Sequence, residues 1–436
     1  MSNYNTWLEA IKVIPGGNML LSKRPPENLI KKYPIYFSKC SGSYIWDLNG
    51  KKYLDMFLMG VGTNILGYNN KKVNKAVNEV IKMGNMSSLN SLEDLKLAKE
   101  LLKINKWAGM VKFARTGGEA NAIAIRLARA CNGKDLVAFC GYHGWHDWYL
   151  SANLNNKKNL DTHLFPNLRS SGVPKSLKNT SIGFDFNDSK SLNNILKKYK
   201  NKVSAIKLEI HRSEPPSKEF IKTINDIQKN KKILIIADEC TSGFRETFGG
   251  MYKKYNIIPD IAIFGKSLGN GFPITAVIGK KKVMKFAEKT FISSTFWTDR
   301  VGTAAALETL KIMKEKKSWI KISNIGKYIK KRWKKISKLS KVPIEISGLD
   351  AMPKFEIKHK KNNFYKQYIV YEMLKKNILA KNVIYCSTSH SKKQIDNYMK
   401  ILKKIFYEIG NDISRKKVIS SKFYKNKKEI SIKRLN

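Results

Sequence analysis

An α/β fold built on a mostly parallel sheet is what this sequence predicts, and three observations carry that expectation. From about residue 63 to residue 300, short apolar runs alternate with longer segments of helical spacing, the pattern of strand–helix–strand units. The runs Leu136–Cys140, Ile233–Ala237 and Ile261–Phe264 are apolar throughout, as in strands covered on both faces. Each gives way abruptly to a polar or glycine-rich turn, at Gly141, Asp238 and Gly265. In open sheets of this kind, ligands lie beyond the carboxyl ends of the strands.

In order, Trp7 to Val13 reads as a short amphipathic helix closed by Pro15-Gly-Gly17. Ser43 to Asp55 reads as a hairpin, with alternating apolar residues around an Asn49-Gly50 turn, and so as a β-rich piece of a smaller domain. Lys71–Lys82 and Leu92–Leu102 are helical by spacing, and the alternating region follows. After Asp299 the pattern predicts one long helix. Strands are then expected at Val342–Ser347 and Lys354–Lys358, and a helix from Lys393 to Ile409. From Arg415 onward the chain is basic and weakly patterned, which predicts a basic tail over 415–436.

With 436 residues and 42% hydrophobic content the chain can bury a large core. Its 83 lysines and arginines against 34 acidic residues, a net charge of +49, raise a different class of function: a non-catalytic, basic, polyanion-binding protein. The lysines are scattered over nearly every expected helix and loop, however, so a dedicated nucleic-acid role is not the expectation. Five cysteines without a C-x-x-C pair fit a reducing compartment. No leader-like N-terminus or bilayer-length apolar run is visible, and a cytoplasmic location with no membrane partner is expected.

The chemistry concentrates in four stretches. Ile261-Ala-Ile-Phe-Gly-Lys-Ser-Leu-Gly-Asn-Gly-Phe-Pro273 places Lys266 at the end of a buried strand, where a desolvated stem favours the neutral, nucleophilic amine. Asp238 ends the run Ile233–Ala237, a position where a carboxylate wants a cation such as a protonated pyridine nitrogen. Gly117-Gly118 open an alanine-rich helix whose first amides suit an anion. Gly141-Tyr-His-Gly-Trp-His-Asp147 is an aromatic turn able to cover a planar ring. A lysine, an acid and a phosphate cradle are what pyridoxal 5'-phosphate requires. His143 and His146 are spaced like metal ligands, but with no acidic or cysteine partner nearby in the sequence they read as packing or ring-lining residues, and no metal is expected.

In these motifs, namely Thr116-Gly-Gly-Glu-Ala, Tyr142-His-Gly, Asp238-Glu-Cys-Thr-Ser-Gly-Phe-Arg and Gly265-Lys-Ser-Leu-Gly-Asn-Gly-Phe-Pro, the sequence resembles the class III pyridoxal-phosphate aminotransferases, in their glutamate-1-semialdehyde aminomutase-like branch. The similarity runs from Ile14 to about Thr309 and more loosely beyond. It implies the fold type I of pyridoxal-phosphate transferases, with a large domain over 63–300 and a smaller α+β domain formed by 1–62 and 301–414. It implies Lys266 as the catalytic Schiff-base lysine and Asp238 on the pyridine nitrogen. Gly117 and Gly118 would hold the phosphate, Tyr142 would stack on the ring and Glu209 would line the pocket. Thr295 would reach the phosphate of a neighbouring subunit, in a homodimer with shared sites.

Two departures stand out. Gly118 takes the place of a family threonine whose hydroxyl could touch the phosphate. The aminomutases' Asn-Ser-Pro-Val-Arg stretch is replaced by Asn18-Met-Leu-Leu-Ser-Lys-Arg-Pro-Pro26, where only Ser22 and Arg24 could receive a substrate carboxylate. The expected activity is therefore amino transfer between a donor and a small amino or oxo acid, or a sugar- or polyol-derived carbonyl. Intramolecular transfer of the semialdehyde aminomutase type is the alternative.

Overall fold

The computed structural model describes residues 3–211, 213–231, 233–415 and 419. They fall into two compact units, one made of the chain up to Asn70 together with the chain from Ile320 onward, the other of Lys71–Trp319. The basic tail expected over 415–436 lies, but for Arg415 and Ile419, outside the described residues.

In the first unit the chain opens with α1 (Asn3–Val13), which buries Trp7. The helix ends at Val13; beyond it Gly16 and Gly17 turn left-handed (φ 73° and 75°), and the Trp7 ring packs so closely on Gly17 that a Cβ there would lie 2.6 Å from it. Strands β1 (Phe37–Ser41), β2 (Tyr44–Asp47) and β3 (Lys52–Met56) pair antiparallel. The Asn49-Gly50 turn is pinned by Asp47, whose Oδ1 accepts from the amides of Asn49 and Lys51 at 2.9 Å each.

The second unit holds α2 (Lys71–Lys82), α3 (Leu92–Ile104), β4 (Met110–Ala114), α4 (Gly117–Asn132), β5 (Leu136–Cys140), β6 (Ser181–Gly183), β7 (Val203–Leu208), β8 (Leu234–Glu239), β9 (Ile261–Phe264) and β10 (Thr275–Gly279). The strands form one seven-stranded sheet in the order β4-β10-β9-β8-β7-β5-β6. All neighbours are parallel except that β10 runs against both β4 and β9. Side chains of α4 (Ile123, Leu127) and of the central strands (Phe139, Ile236, Ile263) share one buried cluster. Each such side chain contributes roughly 1.5–3 kcal/mol on burial, and β5, β7, β8 and β9 all place residues in this cluster.

The helix Arg300–Lys316 packs on α2 and α3. That packing puts the unit boundaries at 70/71 and 319/320, rather than at the 62/63 and 300/301 expected from the sequence. The single long helix expected after Asp299 is broken at Lys317, which is left-handed (φ 46°) and caps the first segment before Ser318–Ser340 begins. In the first unit, β11 (Ile344–Ser347) and β12 (Lys354–Ile357) form an antiparallel pair. A helix, Asn362–Leu374, follows, and β13 (Ile378–Ala380) then adds in parallel to β3, completing the sheet β1-β2-β3-β13. The last helix is Lys392–Arg415.

Among the described residues no helix is long and apolar enough to cross a membrane.

Candidate active site

Lys266 leaves the end of β9 in a left-handed backbone conformation (φ 38°), which costs a non-glycine residue roughly 1–3 kcal/mol and is tolerated only where its surroundings fix it. Its Nζ donates to Thr241 Oγ1 at 2.8 Å. The side chain is half-buried rather than wholly desolvated, so the reactive end is held on a rigid strand while still open to a ligand.

At the tip of β8, Cys240 joins three elements. Its Sγ would lie 3.5 Å from a Cβ added at Gly117 and 3.3 Å from one added at Gly265, so the start of α4 and the end of β9 close on it from two sides. Thr275 Oγ1 ties β10 to the same place by donating to the Thr116 carbonyl at 3.3 Å. Lys266, Asp238 and the glycine pair are thereby brought to one corner of the sheet.

The glycine pair begins α4 behind a complete capping box. Glu119 N donates to Thr116 Oγ1 at 3.3 Å, while Glu119 Oε2 accepts from Thr116 N at 2.7 Å and from Arg115 N at 3.1 Å. With those groups satisfied, the amides of Gly117 and Gly118 have no partner among the described residues and remain as anion donors at a helix N-terminus. His146 lies against them. Its Nδ1 is buried without a hydrogen-bond partner, and it would stand 2.7 Å from a Cβ at Gly118. Two free amides and an orphaned ring nitrogen fit a phosphate group, and the ring fills the space that a threonine at 118 would need. Gly118→Ser is therefore expected to cost about 1–3 kcal/mol of stability by overpacking and to weaken phosphate binding, with stability regained in the Gly118→Ser/His146→Ala pair. Thermal melts and cofactor titration check this, and a fully stable single variant would show that the ring is not in the way.

The aromatic turn after β5 is set by Gly141 (φ 118°), where a Cβ would fall 2.6 Å from Glu209 Oε2. That carboxylate, at the end of β7, accepts from Tyr142 N at 3.1 Å and fixes the turn. Tyr142 is 39% exposed and meets Tyr149 edge-on at 6.2 Å.

Asp238 is buried within a polar cluster. Its Oδ2 accepts from His143 Nδ1 at 2.7 Å and pairs with Lys207 Nζ at 3.4 Å, and its Oδ1 accepts from Cys240 N at 3.1 Å. Burial alone would raise the Asp238 pKa, but the Lys207 ammonium, His143 and the Cys240 amide outweigh it and hold the carboxyl far below the usual range. Burial, and then the Lys207 ammonium, push His143 down to about 4, so the ring is neutral at pH 7. Its other nitrogen, Nε2, lies 3.2 Å from the Cys140 carbonyl, and we assign the single proton to Nδ1, facing the carboxylate.

Glu239, the next residue of β8, points the opposite way, as strand neighbours do. It is buried, accepting from Ser242 Oγ at 2.5 Å and Tyr252 N at 3.2 Å, and burial raises its pKa from 4.5 to about 7. A folded pKa above the unfolded one favours folding at low pH, and that advantage disappears as pH rises from about 4.5 through 7; 2.5 pH units correspond to about 3 kcal/mol. Glu239→Gln is expected to match the native protein at pH 5 and to exceed it by about that amount at pH 8. Denaturant titrations at both pH values test this, and parallel losses in the two proteins would refute it.

Of the residues singled out in the sequence, Gly117, Gly118, Tyr142, Glu209, Asp238 and Lys266 converge. Thr295 is exposed, between the exposed Phe291 and Phe296. Its segment is tied to the cradle all the same: Trp297 Nε1 donates to Glu119 Oε1 at 3.0 Å, and Asp299 forms an ion pair with Arg115. Sequence reasoning missed Lys207, although a charged residue inside the apolar run Val203–Leu208 was a visible signal. It also gave His143 no acidic partner, whereas folding brings Asp238 to it from a distant segment.

Residues 28–406 match the family model described as "Aminotransferase class-III". The chain is 31% identical to the 3-aminobutyryl-CoA aminotransferase of Cloacimonas acidaminovorans, over 82% of this chain and 84% of that protein. It is 32% identical to the glutamate-1-semialdehyde 2,1-aminomutase of Campylobacter hominis, over 95% and 96%. Among solved structures, the FumI protein of Sphingopyxis sp. MTA144, in its PLP internal aldimine form, superposes with a TM-score of 0.83 at 23% identity, covering 94% of this chain and 97% of that one, a likeness of fold.

Proposed function

The chain belongs to the class-III aminotransferase family, whose members use pyridoxal phosphate, and from that premise we propose that it moves an amino group onto a small amino or oxo acid, or onto a sugar- or polyol-derived carbonyl, with Lys266 as its catalytic residue. The observation that carries this reading is the junction at Cys240, where a strand-end lysine, a buried ionised aspartate and an anion cradle meet.

When bound, the cofactor supplies a carbonyl for the amino group and an electron sink for the substrate carbon. The chain's residues provide the rest. The amides of Gly117 and Gly118, with His146 Nδ1, hold the phosphate. Tyr142 covers a ring face, and Glu209 fixes its turn. Asp238, kept ionised by Lys207 and His143, takes the pyridine nitrogen. Lys266 is the residue that would hold the cofactor through its amine, and the same amine would move the proton at the substrate carbon. Thr241 Oγ1, 2.8 Å from Lys266 Nζ, orients the amine.

Intramolecular transfer is a second reading, favoured by the semialdehyde aminomutases among the relatives, one of them matched over 95% of this chain. A screen of amino donors and oxo acceptors with the purified holoenzyme, followed by product identification, separates the two. Turnover of glutamate-1-semialdehyde alone gives the mutase, and turnover of separate donor and acceptor gives the transferase. Borohydride reduction of the resting holoenzyme is expected to fix the cofactor on Lys266, and a label on any other lysine overturns the assignment.

The protein acts, on this reading, as a cytoplasmic homodimer in which Thr295 completes the partner's phosphate site. Support comes from its exposure between two exposed phenylalanines, on a segment fastened to the cradle through Trp297 and Asp299. Lys266→Ala and Thr295→Ala subunits, each weakly active alone, are expected to recover activity when mixed, because one site of the mixed dimer then has both residues. No recovery in a demonstrated mixed dimer would sink the shared site.

A further inference from the structure

Lys207 is as buried as any residue of the sheet, and a lysine in that position is costly unless its charge is used. It stands opposite Ile236 in the β7–β8 register, so Lys207 and Glu209 share a strand face and Asp238 lies two positions along the neighbouring strand. Its Nζ has no well-formed hydrogen bond among the described residues, only the 3.4 Å ion pair with Asp238 Oδ2. That oxygen already accepts from His143, and the other carboxylate oxygen accepts from Cys240 N. The carboxylate meant for the cofactor's nitrogen thus arrives with its charge compensated from within the protein.

We propose that Lys207 is a positioning residue of the cofactor site, its ammonium sharing the Asp238 carboxylate with the pyridine nitrogen and so lowering the proton affinity of that nitrogen. The proposal rests on the reading in which Asp238 meets the ring nitrogen. The bland alternative is a structural counter-ion that merely neutralises a buried aspartate. The two differ in sign. A structural lysine, once removed, leaves Asp238 unsupported and loosens the site, whereas a competing lysine, once removed, frees the carboxylate for the cofactor and tightens it.

The other charged and titratable groups around Lys207 do not reverse this. Glu209 lies two residues along its own strand, and Cys240 and Asp238 face it from β8. His143 faces it from the turn after β5 and is neutral at pH 7, for the reason given above. Burial lowers the Lys207 pKa on balance, while the Asp238 and Glu209 carboxylates act to keep the ammonium; the buried Cys240 thiol, pushed well up, stays neutral. A like charge within about 6 Å, at an effective dielectric near 20, lowers a proton affinity by roughly tenfold or more. Lys207 therefore sets how strongly the ring can draw electrons from the substrate carbon.

The test uses holoenzyme loaded with ring-¹⁵N pyridoxal phosphate, compared among the native protein, Lys207→Met and Lys207→Arg. In the Met variant the ¹⁵N resonance is expected to move toward the protonated pyridinium position, and the cofactor dissociation constant, from titration of the apoprotein, to fall about tenfold. The Arg variant, which keeps the charge, is expected to retain the native values of both. An unchanged resonance with equal or weaker binding in the Met variant overturns the proposal and leaves Lys207 structural. If that variant does not fold, Lys207→Gln carries the same expectation, and the native protein decides independently: a fully protonated nitrogen from pH 6 to 9 overturns the proposal. Failure of every variant to bind the cofactor defeats the broader reading instead, so the two failures are distinguishable.

Discussion

Lys266→Ala is expected to reduce amino transfer by about 10⁴-fold or more, since one side chain both attaches the cofactor and moves the proton at the substrate carbon. The fold should be unaffected. Lys266 is half-buried at a strand tip, and among the contacts alanine removes is the hydrogen bond to Thr241. The left-handed backbone (φ 38°) remains at the position in either residue, so a stability change beyond about 1 kcal/mol is not expected. Cofactor should still bind through the cradle, noncovalently and with no borohydride-fixed label. The checks are steady-state rates, a borohydride trap and a thermal melt on the same preparation. Retention of even a hundredth of the native rate, with the label still present on the protein, would mean that another lysine carries the chemistry. Lys207 is the obvious rival, and its burial against Asp238 argues against it.

How far the site could be read in the sequence follows from where its residues sit. Asp238 and Lys266 end contiguous apolar runs, and Gly117 and Gly118 immediately precede an alanine-rich helix, so each is marked by its own neighbours along the chain. The partners of Asp238 carry no such mark. His143 and Lys207 belong to other segments, and only strand order β9-β8-β7-β5 brings them to the same carboxylate. The spatial exclusion between His146 and Gly118 is likewise a property of the folded turn, in which glycine is required because a ring occupies the space of its missing side chain. In the fold, the parallel core was legible because strands covered on both faces lose their alternation. The break at Lys317 was not, because a lysine in a left-handed cap carries no glycine or proline signal. The short strand Ile378–Ala380 depends on its parallel partner β3 far away in the chain, and nothing local announces it.

Asp238→Asn is the second large effect, and stability and activity should respond to it differently. The amide keeps the shape of the carboxylate but not its charge, leaving the Lys207 ammonium buried without its counter-ion. Breaking a buried pair from one side costs about 3–5 kcal/mol, so the apoprotein should melt at a clearly lower temperature. His143 should also change: with the opposing carboxylate gone its pKa falls further below about 4 and the ring stays neutral, so no compensating charge appears. Activity should drop by roughly 10²–10³-fold, the loss of a buried charge contact to the cofactor at about 3–4 kcal/mol. Adding Lys207→Met to Asp238→Asn removes the stranded ammonium and is expected to return most of the lost stability, since replacing both members of a buried pair is far cheaper than removing one. It should return none of the activity, because the ring nitrogen still lacks its anion. A double variant that regained both would place the function of Asp238 in the fold alone; one that regained neither would mean that Lys207 and Asp238 are not coupled, against their 3.4 Å contact.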